Sequence, residues 1–243
     1  MSVMAVPATP DQIEVPLSLQ SAEALITKRR GKGGEDAAFD KLAAAAAEIS
    51  STAARVQDVV TKVLRNELAT PLARAADAKR AANKLFQGVA GKLDSVRADT
   101  AKTIAALEAQ TLPCPPKDGP AAIYHAEVRT ALARMAPADR TKVIRAAIKN
   151  ADDVFTSAVI LGNAALTGLS QSERDGLALE WQRTRHGPVL ERIERLRAGL
   201  TEYDRLCALL QSFSLGIMQS KNAAVAAAEH SAELARAAMA GVA

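Results

Sequence analysis

A seven-residue repeat of apolar side chains most strongly constrains how this chain can fold. At intervals of seven the chain carries Leu42, Ile49, Val56 and Val63, which we call the heptad seam. Four residues after the first three of these come Ala46, Ala53 and Val60. Alternating spacings of four and three place such side chains along one narrow stripe of an α-helix, the pattern typical of a coiled coil. The repeat therefore predicts a long helix that packs along this seam against another helix.

A second apolar repeat begins after an interruption at Pro71. Proline has no backbone N–H and crowds the preceding turn, so the first helix is predicted to end or kink just before it. Beyond this point the pattern resumes with Phe86, Leu93 and Val96, which we call the second seam. Residues 36–112 are therefore predicted to form a long-helix region that resembles a coiled coil. Its seams pair either within the chain, as an antiparallel hairpin, or between chains.

Composition supports a helical fold class. Alanine makes up about a fifth of the chain and aromatic residues only 3%. Alanine is the strongest helix former but buries little apolar area, so helices built from it pack closely and gain little per residue. No segment shows the alternation of apolar and polar residues that marks a strand. We predict an all-α protein, a long alanine-rich helical hairpin or coiled coil followed by a compact helical bundle.

Prolines and glycines divide the chain further. Residues 1–35 contain three early prolines and end in a glycine-rich stretch, which predicts an extended N-terminal arm. The stretch "TLPCPPKDGP" cannot continue a helix, so residues 113–120 are predicted to be a stiff linker. A compact helical domain is expected over residues 121–215, and a C-terminal helix over residues 216–243.

The compact domain contains a well-marked joint, "DDVFTSAVILGNAALTGLSQSERD", at residues 152–175. Asp152 and Asp153 suit the first turn of a helix, where negative charge is favoured, better than a catalytic pair. Gly162 is typical of a helix end. Ser170 and Glu173 have the spacing of a capping box that starts the next helix. The joint is therefore interpreted as a buried helix, a corner and the start of the next helix, and not as a DNA-reading turn.

The basic residues of the chain are concentrated at one place only. The net charge is +4, and acidic and basic residues alternate along the helical segments, which is typical of solvated surfaces. The exception is a basic cluster, predicted to contact an acidic partner and formed by Lys28, Arg29, Arg30 and Lys32. It lacks the spacing of a phosphate-binding loop. The alternative function that it suggests is that of a nucleic-acid-associated regulatory or packaging accessory protein, which would use this cluster for weak, non-specific contact with nucleic acid.

Residues for catalysis or metal binding do not form recognisable patterns. His125, His186 and His230 stand on separate segments, and Cys114 and Cys207 lack the spacing of a zinc site. We expect no catalytic, cofactor or metal site, a surface position for His125, and a core position for Trp181. The sequence has neither the pattern of a secretory signal peptide nor an apolar run long enough to span a membrane.

The stretch from "AEVRTALARM" through "GNAALTGLSQSERD" resembles uncharacterised all-helical proteins of tailed bacteriophages and prophages, over residues 121–185. The resemblance implies a component of a phage particle, such as a head, connector or ejection-type protein. The expected function is therefore that of a non-enzymatic structural or assembly protein. It would act through helix packing and the N-terminal arm, as a homo-oligomer or in a larger assembly, in the virion or the bacterial cytoplasm.

Overall fold

The computed structural model describes residues 13–32 and 34–218, and the regular structure in these residues is entirely helical. In chain order the helices are α1 (Leu17–Gln20), α2 (Ala22–Arg30), α3 (Ala37–Leu64), α4 (Pro71–Gln110), α5 (Gly119–Ala133), α6 (Pro137–Lys149), α7 (Asp153–Ile160), α8 (Ala164–Thr167) and α9 (Gln171–Met218). The predicted all-α class is confirmed for this part of the chain. Two compact units emerge: unit 1 comprises the described residues up to Lys102 and from Arg195 onward, and unit 2 comprises Thr103–Glu194.

The interruption predicted at Pro71 separates two long helices. Helix α3 starts where the side chain of Asp36 accepts a hydrogen bond from the N–H of Ala38, at 3.1 Å, and it ends at Leu64. Helix α4 starts at Pro71 itself, a position at which proline is tolerated because the first N–H groups of a helix have no partner within it.

Unit 1 is built from α3, the first part of α4 and the last part of α9. Their apolar side chains meet in one core cluster that includes Val56, Val60, Ala78, Ala82 and Ile217. Small residues permit close packing of these helices. A Cβ at Gly199 of α9 would lie 2.9 Å from the ring of Phe39 in α3, so the absence of a side chain at this glycine allows the two helices to approach.

The prediction of an extended arm over residues 1–35 is wrong for its described part, because residues 17–30 are mostly helical. Leu19, Ala22 and Ile26 of α1 and α2 are fully buried, and both helices pack on α3. Hydrogen bonds also tie this segment to α3. The hydroxyl of Ser50 donates to the carbonyl of Leu19 at 2.6 Å, and the Gln57 amide donates to the carbonyl of Ile13 at 2.6 Å. The apolar residues of the segment are thus part of the unit 1 core.

Unit 2 contains α5–α8, the end of α4 and the first part of α9. Its core includes Leu132, Ile144, Val159, Leu169 and Trp181, in agreement with the predicted core position of the tryptophan. The predicted corner at residues 161–170 is also present. Ser170 and Glu173 form the predicted capping box, because each backbone N–H donates to the other side chain, at 2.7 and 3.2 Å.

Buried Arg140 holds the corner of unit 2 together. Its guanidinium donates hydrogen bonds to three carbonyls, those of Leu132 at 2.9 Å, Met135 at 3.0 Å and Gly168. Gly168 has a φ of 68°, in the left-handed region, and a Cβ there would lie 2.7 Å from this guanidinium. Both the backbone angle and the close contact therefore favour glycine at this position.

Helix α9 continues through Pro188 with a kink. His186, two residues before the proline, has non-helical backbone angles of φ −124° and ψ 18°. Proline cannot donate its hydrogen bond to the preceding turn and displaces the carbonyl four residues before it, which bends the helix locally.

The unit boundaries differ from the predicted domain boundaries. The predicted compact domain extended to residue 215, whereas the contacts that define unit 2 end at Glu194, inside α9. The predicted C-terminal helix started at residue 216, but α9 continues to Met218 without a break there. Residues 219–243 lie outside the described part of the chain. Because α9 continues without interruption through the boundary between the units, no residue pattern marks that boundary. Composition therefore could not locate it.

Candidate functional site

The heptad seam lies inside unit 1. The side chains of Leu42, Ile49 and Val56 are fully buried, and Val63 is half-buried against the same core. Helix α3 therefore presents its seam to other helices of its own chain. Of the two alternatives that the sequence left open, packing within the chain accounts for the burial of these side chains.

The second seam also lies in unit 1, on α4. Leu93 is buried, whereas Phe86 and Val96 are half-buried. The hydroxyl of Tyr203 in α9 donates to the carbonyl of Leu93 at 3.1 Å, so α9 packs beside this seam. Tyr203 is fully enclosed, and burial raises the pKa of its hydroxyl far above the ordinary value.

The basic cluster is divided between paired and unpaired side chains. Arg29 forms an ion pair with Glu202 at 2.9 Å, and Arg30 forms one with Asp40 at 2.8 Å. Lys28 and Lys32 are exposed and form no ion pair with any described residue. Because the two arginines contact carboxylates of unit 1, the cluster presents less free positive charge than its sequence suggests.

A cleft in unit 2 is the best candidate for a functional site. It has a volume of about 430 Å³ and is bordered by residues 110–118, α5, α7 and α9. Its apolar wall includes Leu112, Pro115, Pro116 and Val154. Leu112 is 62% exposed and Val154 is 55% exposed, so the apolar wall continues to the molecular surface.

The proline-rich segment is held at both ends where it borders the cleft. At its start the carbonyl of buried Thr111 accepts a hydrogen bond from the side chain of Gln182 at 3.3 Å. At its end Asp118 caps α5, accepting a hydrogen bond from the N–H of Ala121 at 2.8 Å. The predicted linker thus forms an anchored wall of the cleft.

An ion pair supports the side of the cleft formed by α7 and α9. The Arg185 guanidinium donates two hydrogen bonds to the Asp153 carboxylate, at 3.0 and 2.7 Å, and the Trp181 indole donates a third at 3.2 Å. The Arg185 hydrogen bond holds the pKa of Asp153 below its usual range. Trp181 also contacts His186 edge-on, with ring centroids 5.1 Å apart.

The two predicted capping aspartates have different roles. Asp152 caps α7 as expected, because its side chain accepts a hydrogen bond from the N–H of Phe155 at 3.0 Å. Asp153 instead joins α7 to α9 through Arg185 and Trp181. The sequence pattern did not reveal this pair, because its members are 32 residues apart.

His125 and Ser157 are the two buried polar side chains of the cleft. Each is only 4% exposed, and neither side chain makes a hydrogen bond with any described residue. Burial, and secondly the charge of Arg129, lower the pKa of His125, so its imidazole is uncharged at neutral pH. The predicted surface position of His125 is therefore wrong, because α7 and residues 110–118 border the cleft in which it lies.

The remaining candidate residues do not assemble into a metal site. Within residues 13–32 and 34–218, no three His, Cys, Asp or Glu side chains are arranged to hold a metal ion. Cys114 is exposed at the cleft, and burial raises the pKa of the Cys207 thiol to about 11. His230 lies outside the described residues. Among the described helices, none is long and apolar enough to cross a bilayer.

Comparisons of the chain with protein-family models, with curated proteins and with solved structures found no match.

Proposed function

We propose that this chain is a non-enzymatic helical assembly protein that associates with copies of itself in a bacteriophage particle. The observation that carries the proposal is the distribution of exposed apolar side chains. Among the described residues ten large apolar side chains are exposed, and eight of them lie in unit 2: Leu112, Ile123, Tyr124, Val143, Val154, Leu161, Leu166 and Leu179. Concentrations of exposed apolar side chains mark surfaces that bind other proteins.

On this proposal the heptad seam and the second seam hold helices of one chain together, and unit 2 provides the surface that contacts other copies of the chain. Since the heptad seam is used inside unit 1, association between chains must use another surface. Leu161 and Leu166 are suited to this role because both are exposed, Leu161 directly after the end of α7 and Leu166 in the adjoining α8. The phage particle, as head, connector or ejection-type component, is supported by the resemblance over residues 121–185. On this proposal the chain resides in the bacterial cytoplasm before assembly and in the virion afterwards.

Solution mass as a function of protein concentration tests the proposed self-association. We expect the wild-type chain to form oligomers and the double variant Leu161→Ser, Leu166→Ser to shift toward the monomer. Leu68→Ser is the matched control, because Leu68 is 100% exposed and belongs to unit 1. A wild-type monomer at every concentration would contradict self-association.

Particle composition tests the phage assignment separately. The chain should co-purify with intact particles at a fixed copy number that survives washing with high salt. Its absence from particles produced by a host that expresses the chain would contradict this part of the proposal, whatever the solution mass shows.

The nucleic-acid alternative rests on the unpaired lysines of the basic cluster. The logarithm of the association constant for DNA should fall linearly with the logarithm of the salt concentration. The slope of this line is about −0.9 for each phosphate contact. Two unpaired lysines predict a slope of about −2 at most, lost in the double variant Lys28→Ala, Lys32→Ala. A slope of about this size that disappears in the double variant would favour the alternative over protein assembly.

A further inference from the structure

The cleft of unit 2 contains two buried polar side chains, His125 and Ser157, that form no hydrogen bond with any described residue. In folded proteins, buried polar side chains are nearly always paired with protein, water or a ligand. Among the described residues, one side-chain polar atom is completely inaccessible to solvent and has no hydrogen-bond partner. This atom is Ser214 Oγ, which lies in unit 1 and not at the cleft. The polar atoms of His125 and Ser157 are not enclosed in this way, although each residue is 96% buried, and both residues line the cleft. The cleft is the cavity that both residues line, so it is where a molecule could reach their polar atoms.

The shape and walls of the cleft suit a small molecule. Its volume of about 430 Å³ lies in the range of about 300–1,000 Å³ that is typical of small-molecule sites. Such sites combine apolar walls with a few convergent polar groups. Here Leu112, Pro116 and Val154 provide apolar wall, and His125 and Ser157 provide the polar groups.

The charges around the cleft balance. The Asp153 carboxylate is neutralised by Arg185, and the exposed side chains of Lys117 and Asp118 have opposite signs. His125 is uncharged at neutral pH, because its burial favours the neutral ring. Arg129, whose charge acts on His125, is not among the residues that line the cleft, and it donates a hydrogen bond to the carbonyl of Ala158 at 3.5 Å, so the lining itself offers a charged ligand no unpaired opposite charge.

We propose that the cleft binds an uncharged small molecule with an apolar body, whose polar edge exchanges hydrogen bonds with His125 and Ser157. A neutral imidazole offers one donor and one acceptor, and a hydroxyl offers one donor and two acceptor lone pairs. The polar edge of the molecule therefore carries both a donor and an acceptor, as a primary amide does. The cleft shares Leu112 and Val154 with the exposed apolar side chains of unit 2, but Leu161 and Leu166, which test the self-association, do not line it.

Four single-ring probes of nearly equal size test the proposal on the full chain: benzamide, toluene, benzoate and benzylammonium. Binding is followed through the imidazole signals of His125 by NMR and through the fluorescence of Trp181, the single tryptophan of the chain. Benzamide should bind about three- to tenfold more tightly than toluene, the factor expected for one net hydrogen bond. It should also bind more tightly than either charged probe.

Two variants identify the hydrogen-bonding groups. Ser157→Ala should weaken benzamide binding about three- to tenfold and leave toluene binding unchanged. His125→Phe keeps a ring of similar size but removes both polar atoms, and it should have the same selective effect. Ser172→Ala is the matched control, since Ser172 is an exposed serine of α9 away from the cleft. If His125→Phe does not fold, the nearly isosteric Ser157→Ala variant decides.

Several results would overturn the proposal. Equal affinities for benzamide and toluene would exclude the hydrogen-bonding role of the two side chains. Tighter binding of benzoate or benzylammonium would exclude an uncharged ligand. No change in the His125 signals with any probe, up to the solubility limit, would exclude the site itself.

Discussion

At the scale of single residues, the side chains that matter most in unit 2 are polar and buried. Arg140 joins three backbone carbonyls at the ends of helices α5 and α8, where the helix dipole also favours a positive charge. His125 and Ser157 are buried to a similar degree, but within the described part of the chain their side chains form no such bonds. The contrast distinguishes a residue that stabilises the fold from residues that are available to a ligand.

Replacing Arg140 should destabilise unit 2 strongly. We expect Arg140→Ala to lower the free energy of unfolding by about 3 kcal/mol, because the variant leaves carbonyls without their charged donor. Denaturant unfolding monitored by Trp181 fluorescence reports on this unit directly. Arg183→Ala, an exposed arginine of α9, should change the free energy of unfolding by less than about 0.5 kcal/mol. Equal effects of the two variants would contradict the structural role of Arg140.

The two thiols should differ greatly in reactivity. Cys114 is exposed, whereas Cys207 is half-buried and its thiol has a pKa of about 11 because burial disfavours the thiolate. Since the thiolate is the reactive form, a thiol reagent at pH 8 should label Cys114 rapidly and Cys207 slowly. Mass spectrometry of the labelled chain measures both rates. Full denaturation should make the rates similar, and equal rates in the folded chain would contradict the burial of Cys207.

At the scale of helices and their ends, local signals in the sequence determine where each element starts and stops. The capping box of Ser170 and Glu173 starts α9, and the cap at Asp36 starts α3. The backbone and side-chain hydrogen bonds from Ser170 also hold the pKa of Glu173 below its ordinary value. Pro71 starts α4 and Pro188 only bends α9, so the same residue type has different effects in two contexts.

Removing the cap of α9 should cost a measurable part of the stability of unit 2. Ser170→Ala is expected to lower the free energy of unfolding by about 1 kcal/mol, since the N–H of Glu173 loses its acceptor. Ser172→Ala, in the first turn of the same helix, provides the control and should have an effect below about 0.5 kcal/mol. Thermal unfolding followed by circular dichroism compares the two. A larger loss for Ser172→Ala would refute the capping role.

A charge placed in the heptad seam should unfold unit 1. Val56 is fully buried between helices of the same chain, so Val56→Asp places an unpaired carboxylate in an apolar core. We expect loss of helical circular dichroism and rapid proteolysis within unit 1. Leu68→Asp, at a fully exposed position, should leave both unchanged. A folded Val56→Asp chain that differs only in oligomeric mass would show that the seam pairs between chains.

At the scale of the whole molecule, each unit has its own core, and titrating groups couple the stability of unit 2 to pH. His125 has a lowered pKa in the folded chain, so the unfolded chain binds more protons between the folded and the ordinary value. The free energy of unfolding therefore rises with pH across this interval and falls on acidification. The carboxylates of Asp153, paired with Arg185, and of Glu173 also have lowered pKa values. They act at lower pH, because their ordinary values are 3.8 and 4.5.

The stability of unit 2 should consequently decrease in two steps as the pH falls. The first step starts near pH 6.5, the ordinary pKa of histidine, and should be absent in the His125→Phe variant. The second, below about pH 4.5, should remain in that variant because it belongs to the carboxylates. Denaturant unfolding at a series of pH values, monitored by Trp181, measures both. An unchanged first step in the variant would assign it to another group.

The sequence by itself determined the helical class, the seam of α3, the break at Pro71 and the capping box at Ser170. These features depend on contacts within a few residues, so spacing and residue type are sufficient to reveal them. Tertiary structure alone decided that the seam is covered by helices of the same chain and that α1 and α2 belong to the core. It also decided that His125 and Ser157, 32 positions apart, line one cleft. Whether an isolated polar residue is buried depends on distant segments that pack over it, and periodicity contains no information about those segments.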